Sequence, residues 1–184
     1  ATITLPARPY SLPNPPGSPA VTKNSDTSHT VTWTGNYTSG SGATPWESVY
    51  VERWNSALGA WAQIATLPWS ATSYTDTTTV ADRQYTYRVR ARNSTGYSTY
   101  ATTGSTYTTP AAHTDLAWAK TTADVVLTWT RASTLAVATE VQESTDGGTN
   151  WTAKATVAAG TNTWSHVAPS TATTHRYRVR PTIS

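Results

Sequence analysis

The sequence predicts an all-β chain: two tandem β-sandwiches, the second lacking its last strand, behind a proline-rich N-terminal arm. Three observations carry that reading. First, the chain copies itself at an offset of 90 residues: Trp61 to Thr66 matches Trp151 to Thr156, Tyr87 to Arg90 matches Tyr177 to Arg180, and Val51 maps onto Val141. Solenoid repeats run about 20–50 residues, so this longer period marks two copies of one small domain. Second, Thr supplies 40 of the 184 residues and Val and Trp are prominent, whereas Phe is absent. β-branched and aromatic side chains favour strands. Third, short alternating segments recur with turn residues between them about every 8–12 residues, the rhythm of a sandwich.

The elements follow in order. Residues 1–17 form the arm: six of the eleven prolines fall within residues 1–19, a composition that favours extended polyproline II and acts as a semi-rigid spacer. Thr2 to Leu5 alternates and reads as one short strand, and it is the natural donor if the arm docks on a neighbouring subunit. Residues 18–109 form the first sandwich. Val21 to Lys23 is a weak first strand, and Thr30 to Thr34 places Val31 and Trp33 on one face. Val49 to Trp54 and Trp61 to Leu67 make a hairpin around Asn55 to Gly59, followed by a short strand at Thr72 to Thr75. Tyr85 to Ala91 alternates strictly, with Tyr85, Tyr87, Val89 and Ala91 inward and Thr86, Arg88 and Arg90 outward. Tyr97 to Thr108 supplies the seventh strand.

Residues 110–184 form the second sandwich, with strands at 125–130, 139–144, 151–157, 163–166 and 175–180. Asp146, Gly147 and Gly148 supply a turn that tolerates positive φ. The loop after Trp129 is six residues shorter than its counterpart after Trp33, because Trp33 to Val51 spans 18 residues and Trp129 to Val141 spans 12. The extra piece runs from Asn36 to Trp46. Only four residues follow Arg180, too few for a seventh strand, so either the chain is cut from a longer polypeptide or another subunit completes the sheet.

Tyr85, Tyr87, Val89, Ala91, Asn93, Gly96 and Ser98 together resemble the sixth-strand signature of fibronectin type III domains, and with Trp33 the resemblance covers residues 18–109. It implies that Trp33 is the core tryptophan and that Tyr85 makes a tyrosine corner. Copy two is similar through Trp129, Tyr177 and Val179, but His175 stands at the corner position. More narrowly, the runs Ser25 to Trp33, Val51 to Trp54, Ala71 to Thr77 and Arg83 to Asn93 resemble fibronectin III repeats of minor tail and fibre proteins of tailed actinobacteriophages. Secreted bacterial glycoside hydrolases carry similar domains. The phage resemblance implies a virion or extracellular setting, other virion subunits in multiple copies as partners, and spacing, decoration or adhesion without chemistry.

Composition excludes several classes. With no Cys there is no disulfide framework and no thiolate metal site. A net charge of +3 with 12% charged residues lacks the dense basic patch of a nucleic-acid binder. No apolar run reaches the 18 or more residues of a membrane-spanning helix. His29, His113, His166 and His175 have no ligand-type spacing, so neither metal nor cofactor is expected. No nucleophile motif or acid–base pair stands out, and no enzyme activity is expected.

Two surface constellations remain. Arg88, Arg90 and Arg92, echoed by Arg176, Arg178 and Arg180, form outward ladders. One reading pairs them across strands with Glu52 and stacks them on Trp54, at about 0.2–1 kcal/mol each. The other makes them a cationic face for teichoic acid or an acidic partner. Tyr37, Trp46, Trp69 and Tyr100 lie in or near loops and have no echo in copy two. Flat aromatics at such positions stack on sugar faces, so host cell-surface glycans are the candidate ligands.

Overall fold

The computed structural model describes residues 11–35, 46–56, 58–135, 137–167 and 169–183. All regular structure among them is β, and no helix is long and apolar enough to cross a membrane. The chain divides into two compact units: Ala1–Val80 with Gln84–Tyr107, and Ala81–Arg83 with Thr108–Ser184. The expected strand at Thr2 to Leu5 lies outside the described residues.

In the first unit, β1 (Gly17–Ser25), β2 (Ser28–Thr34) and β5 (Ser73–Asp76) form one antiparallel sheet, with β2 central. The facing sheet runs β4 (Ala60–Pro68), β3 (Ser48–Asn55), β7 (Tyr87–Asn93) and β8 (Gly96–Tyr97); β9 (Ala101–Thr102) also pairs with β7. A two-residue pair joins β6 (Gln84–Tyr85) to β10 (Thr106–Tyr107). Alternation does what the pleat requires: Val31 and Trp33 from one sheet meet Val49, Val51, Tyr87, Val89 and Ala91 from the other, and all are buried. Trp33 donates its indole N–H to the Ala71 carbonyl at 2.9 Å, so its one polar atom is satisfied inside the core.

Tyr85 makes the expected corner. Its hydroxyl lies 2.8 Å from the Val80 amide, five residues upstream. Beneath it sits a polar node. Asp76 is 1% exposed, yet it accepts hydrogen bonds from Arg53 Nη1 (2.7 Å), Tyr87 Oη (3.0 Å) and both the amide and hydroxyl of Thr78 (2.9 and 2.7 Å). Burial alone would push this carboxyl up; the bonds from Thr78 and Arg53 outweigh it and hold Asp76 below the usual carboxylate range.

Two strands differ from expectation. The segment Tyr85 to Ala91 is interrupted at Thr86, whose carbonyl accepts the Trp54 amide at 3.0 Å. The seventh strand is broken into β8, β9 and β10. Hydroxyls take over from the backbone there: Ser98 Oγ accepts the Ala91 amide (3.0 Å) and Thr103 Oγ1 accepts the Tyr87 amide (3.1 Å), so the ladder is kept by side chains where the backbone leaves register. The arm differs too. Pro13 and Pro16 are buried and the Ser11 carbonyl accepts Asn93 Nδ2 at 3.1 Å, so residues 11–16 dock on the first unit and do not act as a free spacer.

In the second unit, β11 (Thr114–Lys120), β12 (Val125–Thr130) and β15 (Thr163–His166) form one sheet; β14 (Thr152–Val157), β13 (Ala138–Ser144) and β16 (Arg176–Thr182) form the other. Strand β11 was not expected. Every residue of it is exposed although it pairs with β12, and Asp115 at φ 53° lies in the register shift between Thr114 and Ala117. The core is small: Leu127, Trp129 and Val141 are buried, with Tyr177 and Val179 packed against them. Gly147 and Gly148 take φ of 77° and 99° in the turn between β13 and β14, where a side chain would be strained.

His175 takes over the corner. Its Nε2 lies 2.8 Å from the Ser170 carbonyl, five residues upstream, the same separation as Tyr85 to Val80. Tyr85 both accepts from the Val80 amide and donates to the Val80 carbonyl at 3.4 Å; the imidazole N–H keeps the donation to the carbonyl.

Candidate functional site

The outer face of the first unit's larger sheet carries the arginine ladder, and register decides its partners. Glu52 of β3 stands opposite Arg88 of β7, and Tyr50 opposite Arg90. Arg88 donates to Glu52 Oε2 from Nε (2.8 Å) and Nη2 (2.5 Å), while Arg90 Nη2 lies 3.6 Å from Glu52 Oε1. Tyr100 donates its hydroxyl to the same Oε1 at 2.5 Å. Burial pushes the Glu52 carboxyl up, but the bonds from Tyr100 and Arg88 outweigh that and lower it, so one anion serves two cations and a phenol. Burial and the neighbouring Glu52 raise Tyr100, which keeps its proton and remains a donor.

Aromatic rings complete the ladder. The Arg88 guanidinium lies 3.6 Å from the Tyr100 ring centroid and 4.5 Å from that of Trp61. Arg90 lies 4.0 Å from the Tyr97 ring and 4.6 Å from that of Tyr100. These are cation–π distances. The expected stack on Trp54 is not made, because Trp54 packs edge-on against its cross-strand partner Trp61 at 5.5 Å. Arg92 makes a looser pair with Glu47 at 3.5 Å. The second unit repeats the arrangement in reduced form: Arg178 stacks on Trp151 at 4.3 Å and bonds Gln142 at 2.6 Å, and Arg180 pairs with Glu140. Gln142 stands where copy one has Glu52, so the amide accepts the bond but offsets none of the charge of Arg178.

The four loop aromatics separate. Trp46 is 3% exposed and belongs to the core of the first unit, where its indole packs shortly before β3 begins. Tyr100 is absorbed into the ladder. Trp69 is half-exposed, at 50%. Tyr37 lies outside the described residues. The structure adds Trp118 of β11, which is 69% exposed and stands with Leu116 over an apolar cavity of about 490 Å³ also lined by Val125, Leu127, Trp151 and Tyr177. The signal that would have found it is the alternation of Leu116 and Trp118 within Thr114–Lys120.

Three groups far apart in the sequence also converge. Glu143, His166 and His175 place ligand-type atoms within 4.8 Å of one another. Sequence spacing gave no hint of this, because β13, β15 and the approach to β16 meet only in the folded sandwich.

The fold is that of a tandem pair of fibronectin type III sandwiches. A two-domain fibronectin type III segment of chicken tenascin is similar over 91% of this chain and 91% of its own, at 14% identity and a TM-score of 0.50. Chicken CNTN1 FN1–FN3 domains match over 92% of this chain and 61% of theirs, at 17% identity and a TM-score of 0.45. A titin segment matches over 53% of this chain, at 26% identity and a TM-score of 0.45, and the chain spans only 32% of it. No family model matches the sequence, and no curated protein matches it.

Proposed function

We propose that this chain is a non-enzymatic structural or decorating module of a phage particle, on the tail, fibre or capsid exterior. It would give spacing and weak multivalent adhesion to the host surface or to neighbouring subunits. The observation that carries the reading is a tandem sandwich whose densest polar constellation is spent on itself. Arg88, Glu52 and Tyr100 hydrogen-bond one another across the sheet, and Arg90 joins them through its ion pair with Glu52 and its contacts with the Tyr97 and Tyr100 rings. Such a face offers little unpaired charge for chemistry and a rigid platform for display. The phage setting rests on the resemblance of Ser25 to Trp33 and Arg83 to Asn93 to actinobacteriophage tail and fibre repeats.

Adhesion falls to the exposed rings of Trp69 and Trp118 and to the incompletely offset Arg178, which suit sugar faces and polyanions such as teichoic acid. Single contacts of this kind are weak, and many copies on one particle multiply them. The exposed indoles equally suit a non-catalytic accessory module of a secreted carbohydrate-active enzyme. Immunogold microscopy of purified particles, with antibody raised against residues 19–184, separates the two. Gold on the tail or capsid supports the virion role; bare particles, with the antigen attached to a larger enzyme in the supernatant, assign the module to that enzyme.

A further inference from the structure

The two units use the same three positions for opposite purposes. Arg53, Asp76 and Tyr85 of the first unit become Glu143, His166 and His175 of the second at the common offset of 90 residues, and Ile64 becomes Lys154. In the first unit these positions hold an ion pair beneath a tyrosine ring: Arg53 to Asp76 at 2.7 Å, with the guanidinium 5.4 Å from the Tyr85 ring. In the second unit all three residues are metal-ligand types. Glu143 is buried and the two histidines are half-buried.

The hydrogen bonds restrict what lies between them. His175 Nε2 faces the Ser170 carbonyl, which can only accept, so that nitrogen carries the proton. Its Nδ1 faces Glu143 Oε1, 2.6 Å away. His166 Nδ1 lies 3.2 Å from the same oxygen and 2.7 Å from the Tyr177 hydroxyl. Three ligand-type atoms therefore converge within 4.8 Å of one another, drawn from two imidazoles and one carboxylate. The surroundings suit a metal ion. An imidazole that gives its distal N–H to a backbone carbonyl has a fixed tautomer and a more basic ligand nitrogen. Lys154 Nζ holds the other oxygen, Glu143 Oε2, at 2.9 Å, which orients the carboxylate and leaves Oε1 turned to the histidines.

We propose that Glu143 Oε1, His166 Nδ1 and His175 Nδ1 form a binding site for one divalent transition metal, zinc by ligand type. Two imidazoles and one carboxylate make a three-ligand zinc set with a fourth position open to water. The ion ties β13 to β15 and the start of β16, bridging the two sheets of the unit with the smaller core. Histidine and carboxylate ligands must be deprotonated to hold the ion, so binding weakens in acid.

The test uses the untagged full chain, freed of metal by chelation and titrated with zinc chloride by calorimetry, with thermal unfolding followed in parallel. The expected result is one zinc per chain, proton release on binding, and a higher Tm that chelator reverses. Cobalt in place of zinc should give visible absorption bands of a nitrogen- and oxygen-ligated ion. His166→Ala should abolish the one-to-one binding. A second variant, Glu143→Arg with Lys154→Ile, His166→Asp and His175→Tyr, installs the first unit's own residues. It should keep its β circular-dichroism signature and bind no zinc. Absence of stoichiometric binding overturns the proposal, as does binding that both variants leave unchanged.

Discussion

Replacing Asp76 by alanine should cost the first unit about 3–5 kcal/mol, the usual consequence of breaking a buried ion pair from one side. The structure sets where in that range the value falls. Asp76 is 1% exposed and accepts four hydrogen bonds, from Arg53, Tyr87 and Thr78. Two of these matter most. The Tyr87 hydroxyl is fully buried, so without Asp76 it keeps only His29 Nδ1 at 3.3 Å, and the Arg53 guanidinium loses its counter-charge. Arg53 is 22% exposed and also reaches Thr78 Oγ1 at 2.9 Å, so water recovers part of its loss. The cost therefore belongs near the lower bound, about 3 kcal/mol.

The same group fixes a pH dependence. Its carboxyl is held below its unfolded value, so the native state binds fewer protons than the unfolded state. Its contribution is complete above the unfolded pKa, near 3.9, and disappears as pH falls through the depressed native one. Urea denaturation followed by tryptophan fluorescence, with Trp33 and Trp46 buried in this unit as reporters, measures both effects. The Asp76→Ala chain should lose less stability than the parent as pH falls below the unfolded carboxylate pKa, near 3.9. A cost under about 1 kcal/mol at neutral pH, or an unchanged acid limb, would refute the reasoning.

Two further outcomes are expected. Trp33→Ala should destabilise the first unit by about 3–5 kcal/mol, because it empties a large buried volume and strands the Ala71 carbonyl; a shift under about 1 kcal/mol in the same assay would contradict its place in the core. Glu52→Gln should cost about 1–2 kcal/mol, since the amide still accepts from Arg88 but no longer offsets two guanidinium groups; an unchanged denaturation midpoint would show the ladder to be stabilised by stacking alone.

Much of the fold was legible because it rests on local periodicity. Val31 and Trp33, and Tyr85 through Ala91, alternate apolar and polar, and the pleat turns that alternation into an inward face and an outward one. The repeat at 90 residues fixed the tandem plan in the same way, and five residues of chain from corner to carbonyl served both Tyr85 and His175. Exposure at loop positions was not legible. Trp46 sits beside a glycine- and serine-rich stretch, and only the packing of the assembled sandwich takes its indole into the core. Nor was it legible that Arg88 stacks on Trp61 and not on the expected Trp54, because cross-strand register and ring packing are set by the assembled sheet.

What the amino-acid order determined by itself is whatever depends on neighbours in the chain: strand period, turn residues and the repeat. What tertiary structure alone decided depends on residues that approach only when sheets stack. The Arg53, Asp76 and Tyr87 node draws its members from three strands, and the Glu143, His166 and His175 cluster from two strands and the residue just before β16. Their chemistry comes from shared burial, where an unpaired charge is costly, and no short-range pattern records which distant groups will share it.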